Sequence, residues 1–208
     1  MPERLLLNVR GTSGAGKTFL VRQFLSNYLV EYLPRTGDRK NGGFPGAAKV
    51  NIPDLKFPIY FLGKYSADGC GGMDTIYSQE ESVKWALHFI AQGHVICEGL
   101  LTSGLGPGGI FCKTVMSTIP EAVRFLFLDT SLEQCIANVN LRRQARGNME
   151  VFTDAKRHLT KKHMQIQNVI RTMANLQWPV FMLNHEVGFQ QVLQILQEAE
   201  NVSRQTSS

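Results

Sequence analysis

Apolar runs of strand length alternate along the chain with longer amphipathic stretches in which apolar residues recur at helical spacing. The first apolar run, Leu5 to Val9, leads through a glycine-rich turn into a helix from about Lys17 to Leu33. Its stripe is Leu20, Val21, Phe24, Leu25 and Tyr28, and Pro34 ends it. Residues 35–56 carry Gly37, Gly42, Gly43, Pro45, Gly46 and Pro53, which predicts one long loop. A second strand, Pro58 to Leu62, precedes another glycine-rich stretch, residues 63–75.

Ser78 with Glu81 three residues on forms a capping-box pattern and opens a helix that stops at Gly93. The third strand is His94 to Cys97, running into Glu98, and a further glycine-rich stretch follows at 102–109. A short helix closed by Pro120 leads to the fourth strand, Arg124 to Leu128. Thr130 with Glu133 then reads as a second capping box, before a helix striped by Leu132, Cys135, Ile136 and Val139. A long helix from about Thr153 to Leu176 buries Leu159, Ile166, Ile170 and Met173. The fifth strand, Pro179 to Leu183, is covered by a last helix with Phe189, Val192, Leu193 and Leu196 on one face.

Strands alternating with helices predict an α/β fold of three layers, a parallel five-stranded sheet with helices on both faces. Five such units use nearly all of the 208 residues. One domain is therefore expected over residues 1–202, with a polar tail at 203–208.

Composition narrows the class. Hydrophobic residues make up 43 % and charged residues 19 %, close to globular averages, which argues against a disordered or fibrous chain. No apolar run reaches the ~18 residues of a membrane span. The N-terminus lacks the pattern of a signal peptide. Cys70, Cys97, Cys112 and Cys135 are scattered without a C-x-x-C pair, so reduced thiols in a cytoplasmic compartment are expected rather than zinc or disulfides. The net charge of +5 suits a phosphate-bearing partner without saying which.

Chemistry enters with Gly11-Thr12-Ser13-Gly14-Ala15-Gly16-Lys17-Thr18, a full match to G-x-x-x-x-G-K-[ST]. Composition alone would produce such a match in roughly 1 % of chains of this kind. Its glycines let successive backbone N–H groups turn towards a phosphate chain, the helix N-terminus adds positive potential, Lys17 reaches the terminal phosphates and Thr18 offers a hydroxyl to Mg²⁺. The motif lies between a strand and a helix, as that mechanism requires.

The order of these elements resembles the P-loop nucleoside and nucleotide kinases from Leu5 to about Asn184. The resemblance implies sheet order 2-3-1-4-5, which sets the third strand beside the phosphate-loop strand. Glu98 is then the acid that holds Mg²⁺ or assists catalysis. Asp129, after the fourth apolar run, is the rival acid, with a capping role as its alternative. An arginine lid is implied at about 141–152, where LRRQARG supplies Arg142, Arg143 and Arg146; an exposed basic helix end is the other reading. No N-K-x-D base-recognition sequence of a GTPase occurs.

The acceptor motifs depart from several standard members. At the third strand this chain has Glu98-Gly99-Leu100, where deoxynucleoside kinases carry E-R-S and thymidylate kinases an Asp-Arg pair. Gly63-Lys64-Tyr65, Gly71-Gly72-Met73-Asp74 and Cys97-Glu98-Gly99-Leu100-Leu101 look like a group of bacteriophage P-loop kinases that phosphorylate 5-hydroxymethyluracil within DNA. That resemblance implies ATP and Mg²⁺ as cofactors, modified DNA as partner and the host cytoplasm as location. A free nucleoside or nucleotide as acceptor is the alternative, and a non-catalytic nucleotide-binding regulator the second.

Asp74, after the second strand, is the candidate to orient the acceptor hydroxyl or take its proton, with Asp68 as rival and a turn-stabilising role open for both. Tyr65 and Tyr77 are candidates for stacking on a base, or for core packing. Residues 142–171 hold eight basic residues (Arg142, Arg143, Arg146, Lys156, Arg157, Lys161, Lys162, Arg171) against Glu150 and Asp154. Residues 35–64 add Arg35, Arg39, Lys40, Lys49, Lys56 and Lys64. Both groups suit DNA phosphates or a solvated surface equally.

Overall fold

The computed structural model describes residues 3–38, 43–66, 69–99, 109–145, 147 and 153–205. Among these residues nine strands and six helices follow one another as β1 (Leu6–Arg10), α1 (Lys17–Asn27), β2 (Val30–Leu33), β3 (Ala47–Val50), β4 (Ile59–Leu62), β5 (Lys64–Ser66), β6 (Gly69–Gly72), α2 (Gln79–Ile90), β7 (His94–Glu98), α3 (Ile110–Thr118), β8 (Val123–Asp129), α4 (Leu132–Gln144), α5 (Thr153–Asn175), β9 (Val180–Asn184) and α6 (Gly188–Gln205). A 3-10 turn, Met73–Thr75, follows β6.

The main sheet has seven strands in the order β2-β3-β4-β7-β1-β8-β9. Its inner run, β4-β7-β1-β8-β9, is parallel throughout and reproduces the expected 2-3-1-4-5 order. The expectation of five strands is corrected by β2 and β3, which extend the sheet beyond β4, with β3 antiparallel to both neighbours. Two physical reasons hid them. Val30 and Leu33 fit a helical stripe as well as a short strand, but α1 ends at Asn27 and Tyr28 is already extended (φ −133°, ψ 162°). In β3, the four residues AAKV carry little intrinsic strand preference and sit among glycines and prolines. They become a strand by pairing with β4, Ala47 opposite Leu62 and Val50 opposite Ile59. Without β3, the backbone of β4 would be an open edge.

The stretch 63–75 is likewise more ordered than its glycines suggest, since β5 and β6 form a separate antiparallel pair. Ser78 caps α2 as its spacing predicts, accepting from the Glu81 N–H at 3.2 Å. For α4 the cap is Ser131, whose hydroxyl accepts from the Gln134 N–H at 3.1 Å, and not Thr130.

Side chains alternate across the sheet with period two. Leu5, Leu7, Val9, Phe61, Ile96 and Leu126 pack with Leu20, Val21 and Phe24 of α1 and Val192 and Leu196 of α6. Leu6, Val95, Cys97, Phe125 and Phe127 face the other way, towards Phe89 of α2, Val115 of α3 and Met173 of α5. Phe24 sits 4.6 Å from the Phe189 ring and 5.5 Å from that of Phe61. Burial of one such phenylalanine stabilises by roughly 1.5–3 kcal/mol.

At the sheet edge where β1 and β7 begin, His94 and Glu200 are buried together. The Leu5 N–H donates to His94 Nδ1 at 3.0 Å, so that nitrogen carries no proton and Nε2–H donates to Glu200 Oε1 at 3.0 Å. Glu200 also accepts from the backbone N–H groups of Lys56 and Phe57, at 2.8 and 3.1 Å. This network ties α6 to the sheet. Among the described residues no helix is long and apolar enough to cross a membrane.

Candidate active site

The opposite edge, where the parallel strands end, carries the chemistry. Residues 11–18 leave β1 and enter α1, and Gly11, Gly14 and Gly16 all have positive φ (152°, 88° and 98°). At Gly14 the reason is a close approach, because a Cβ there would lie 2.3 Å from the Cys135 carbonyl oxygen. At Gly16 a Cβ would meet nothing within 4 Å, and the residue lines a cavity.

Helix α4 grips the loop from outside. Asn138 Nδ2 donates to the Gly14 carbonyl at 2.8 Å, while Asn138 Oδ1 accepts from Gln134 Nε2 at 2.9 Å. The Thr130 hydroxyl donates to the Ala15 carbonyl at 3.0 Å. From α5, His163 Nδ1 lies 3.2 Å from Thr12 Oγ1.

Lys17 Nζ donates to the carbonyls of Gly11 (2.9 Å) and Thr12 (3.1 Å). Burial pushes its ammonium below the usual lysine range, with the Glu98 carboxylate pulling the other way. Glu98 ends β7 directly beside Val9 of β1, and Thr18 Oγ1 donates to its Oε1 at 3.2 Å. Its carboxyl is pushed up by burial, against the opposing effects of Lys17 and of the Thr18 hydrogen bond; Asp74 adds to the upward shift.

Asp74 stands on the 3-10 turn after β6, and two glycines let it approach Glu98. A Cβ at Gly99 would come within 2.8 Å of Asp74 Oδ1, and one at Gly72 within 2.9 Å of Glu98 Oε1. The β5–β6 pair thus carries the Asp74 turn up to the end of β7.

A cavity of about 570 Å³ is lined by residues 13–19, Asp74, Glu98, Gly99, Gln134, Asn138, Arg142 and His185. That volume is typical of small-molecule sites, ~300–1,000 Å³. Of the residues singled out from sequence, Ser13, Gly14, Ala15, Gly16, Lys17, Thr18, Asp74, Glu98 and Arg142 come together here. Gly11 and Thr12 form the start of the loop. Arg143, one position along the helix, is half-buried and is not among the lining residues; Arg146 and Asp68 lie outside the described residues.

Asp129 ends β8 opposite Asn184, is exposed, and is not among the described residues that line the cavity. Nor does it cap α4. Tyr65 is buried edge-on against Phe61, the core-packing alternative of the two left open for it, whereas Tyr77 is exposed. Lys49 and Lys56 pair with Glu31 and Glu3. Lys156, Arg157, Lys161 and Arg171 of α5 are exposed.

Gln134, Asn138, His163 and His185 were not legible in the pattern. His185 alone had a usable signal, since it follows β9 and ligands in open α/β sheets bind beyond the strand C-termini.

No protein-family model matches the chain. The crystal structure of a gluconokinase from Sinorhizobium meliloti 1021 covers 99 % of both chains at 12 % identity with a TM-score of 0.47. A 5-hmdU DNA kinase of Pseudomonas phage PaMx11 is 31 % identical over 160 residues, 71 % of this chain and 74 % of that protein. With that identity over so much of both sequences, and an intact phosphate loop at the end of β1, the chain belongs to the family of this phage enzyme and is a P-loop kinase.

Proposed function

We propose that the protein moves the γ-phosphoryl group of ATP to the hydroxymethyl oxygen of 5-hydroxymethyluracil in DNA. The observation that carries this reading is the meeting of Lys17, Thr18, Glu98 and Asp74 around one cavity in a relative of a 5-hmdU DNA kinase. The phosphate loop receives the triphosphate. Lys17 swings from the Gly11 and Thr12 carbonyls to the phosphoryl oxygens, and Arg142 on the cavity wall adds positive charge, with Arg143 and Arg146 on the same segment.

Thr18 Oγ1 and Glu98 Oε1, 3.2 Å apart, form a hard oxygen pair that suits Mg²⁺. When bound, the ion neutralises charge on the phosphate oxygens. Asp74 accepts the acceptor's proton as the hydroxymethyl oxygen bonds to phosphorus. The bond from phosphorus to the β–γ bridging oxygen breaks, and ADP leaves.

Within a duplex the base must be extruded, at a cost of a few kcal/mol. Exposed Tyr77, three residues from Asp74, offers a stacking surface worth ~1–3 kcal/mol. The exposed basic residues of α5 suit the DNA backbone better than Lys49 and Lys56, which already have acidic partners.

The test is transfer of labelled γ-phosphate to DNA containing 5-hydroxymethyluracil, beside unmodified DNA and a panel of free nucleosides and monophosphates. Label in the modified DNA alone is expected. Label entering only the free compounds overturns the DNA acceptor.

A further inference from the structure

Helix α5 reaches the phosphate loop through the 3.2 Å hydrogen bond between His163 Nδ1 and Thr12 Oγ1. Thr12 is 3 % exposed and His163 is half-buried, so this bond is partly shielded from competing water. The Thr12 carbonyl is in turn the acceptor for two groups of the loop, the Ala15 N–H at 3.1 Å and Lys17 Nζ at 3.1 Å. Whatever fixes Thr12 therefore helps to fix the resting place of the lysine, together with the Gly11 carbonyl at 2.9 Å.

We propose that His163 is a positioning residue for phosphoryl transfer: by holding the Thr12 hydroxyl it sets the Thr12 carbonyl from which Lys17 departs, and so links α5 to the phosphate loop. The inference rests on the reading of this cavity as the phosphoryl-transfer site. One further feature agrees with it. Asn138 and Thr130 hold the Gly14 and Ala15 carbonyls, so the His163 contact adds an anchor at the start of the loop. A loop without it would let Lys17 drift, and a displacement of about 1 Å in a positioning group can cost ~10²-fold in rate.

The test measures transfer from labelled ATP in the full chain, with unfolding temperature and ATP affinity recorded beside it. His163→Ala should lower kcat by roughly 10–100-fold with a much smaller change in KM for ATP. His163→Asn places a polar atom near the position of Nδ1 and should recover most of the loss. Thr12→Val should reproduce the His163→Ala effect, and the double variant should be no worse than either single one. Wild-type kcat in His163→Ala, multiplicative losses in the double variant, or losses that follow the unfolding temperature without rescue by Asn would each overturn the proposal. A wild-type chain that transfers label to no acceptor overturns the phosphoryl-transfer reading itself, which separates the two failures. Should His163→Ala fail to fold, the Asn and Val variants decide.

Discussion

Thr18 Oγ1 donates a hydrogen bond to Glu98 Oε1 across 3.2 Å, joining the first turn of α1 to the end of β7 over a separation of 80 residues. The parallel pairing of β1 with β7 makes this possible, because Val9 and Glu98 sit side by side in register and the chain turns into α1 within a few residues. The pair gives the cavity its candidate metal donors. It also makes Glu98 the group whose ionisation should govern the reaction.

Burial pushes the Glu98 carboxyl above its ordinary value of 4.5, so the acidic limb of the transfer rate should lie above that value. A cation competes with the proton for the ionised form, and raising the Mg²⁺ concentration should therefore move the limb to lower pH. Glu98→Gln should lower the rate by roughly 10²–10³-fold and remove this Mg²⁺ dependence. A limb that stays in place at every Mg²⁺ concentration would count against the assignment. The measurement is the pH profile of labelled-phosphate transfer at several metal concentrations.

Gly14 and Gly16 should fail in different ways. Alanine at position 14 drives a methyl group into the Cys135 carbonyl, so Gly14→Ala should loosen α4 and lower the unfolding temperature. Gly16→Ala meets no protein atom and carries mainly the strain of its φ of 98°, about 1–2 kcal/mol. It should fold yet bind ATP weakly, because the methyl group occupies the space left for phosphate. Thermal unfolding together with nucleotide titration checks both, and tight ATP binding by Gly16→Ala would contradict this account.

Asp74→Asn should reduce transfer by roughly 10²–10⁴-fold while ATP affinity stays near that of the parent, because only proton removal is lost. Gly99→Ala, whose Cβ would lie 2.8 Å from Asp74 Oδ1, should show a similar though smaller loss. An Asp74→Asn variant with full turnover would reassign the proton acceptor.

His94 should set part of the acid stability. Burial lowers its folded pKa below 6.5, against the pull of Glu200, and the Leu5 N–H needs Nδ1 unprotonated. The unfolded chain takes up the proton first. The stabilisation is therefore complete above the unfolded value and is lost as pH falls through it towards the folded one. Unfolding temperature should drop as pH falls through and below about 6.5. His94→Gln should flatten that slope, starting from a lower plateau. A variant with the parental slope would exclude His94 as the cause.

The strand-and-helix alternation and the phosphate loop were legible along the chain because each is encoded locally, whereas the 2-3-1-4-5 order of the core came only through the resemblance to P-loop kinases. An apolar run such as HVIC, a helical stripe or eight contiguous motif residues needs no distant partner to be recognised. Asp74 and Glu98 were singled out through that resemblance, Glu98 at the end of the apolar run HVIC and Asp74 in the glycine-rich stretch after the second strand. Contacts made between segments were not. The four residues of β3 become a strand only beside β4, and Val30 and Leu33 suited either period until pairing with β3 decided.

The residues around the loop divide in the same way. The sequence by itself determined where a phosphate-loop motif stands, Gly11 to Thr18, since its glycines and lysine are recognised by their spacing alone. Only the tertiary structure decided that Asn138, Thr130 and His163 clamp that loop and that Glu98, not Asp129, faces Thr18. Both acids end apolar strands and look alike in one dimension. β7 and β8 flank β1 on opposite sides, and which side receives the Thr18 side chain is a property of sheet order and helix rotation, which no single segment specifies.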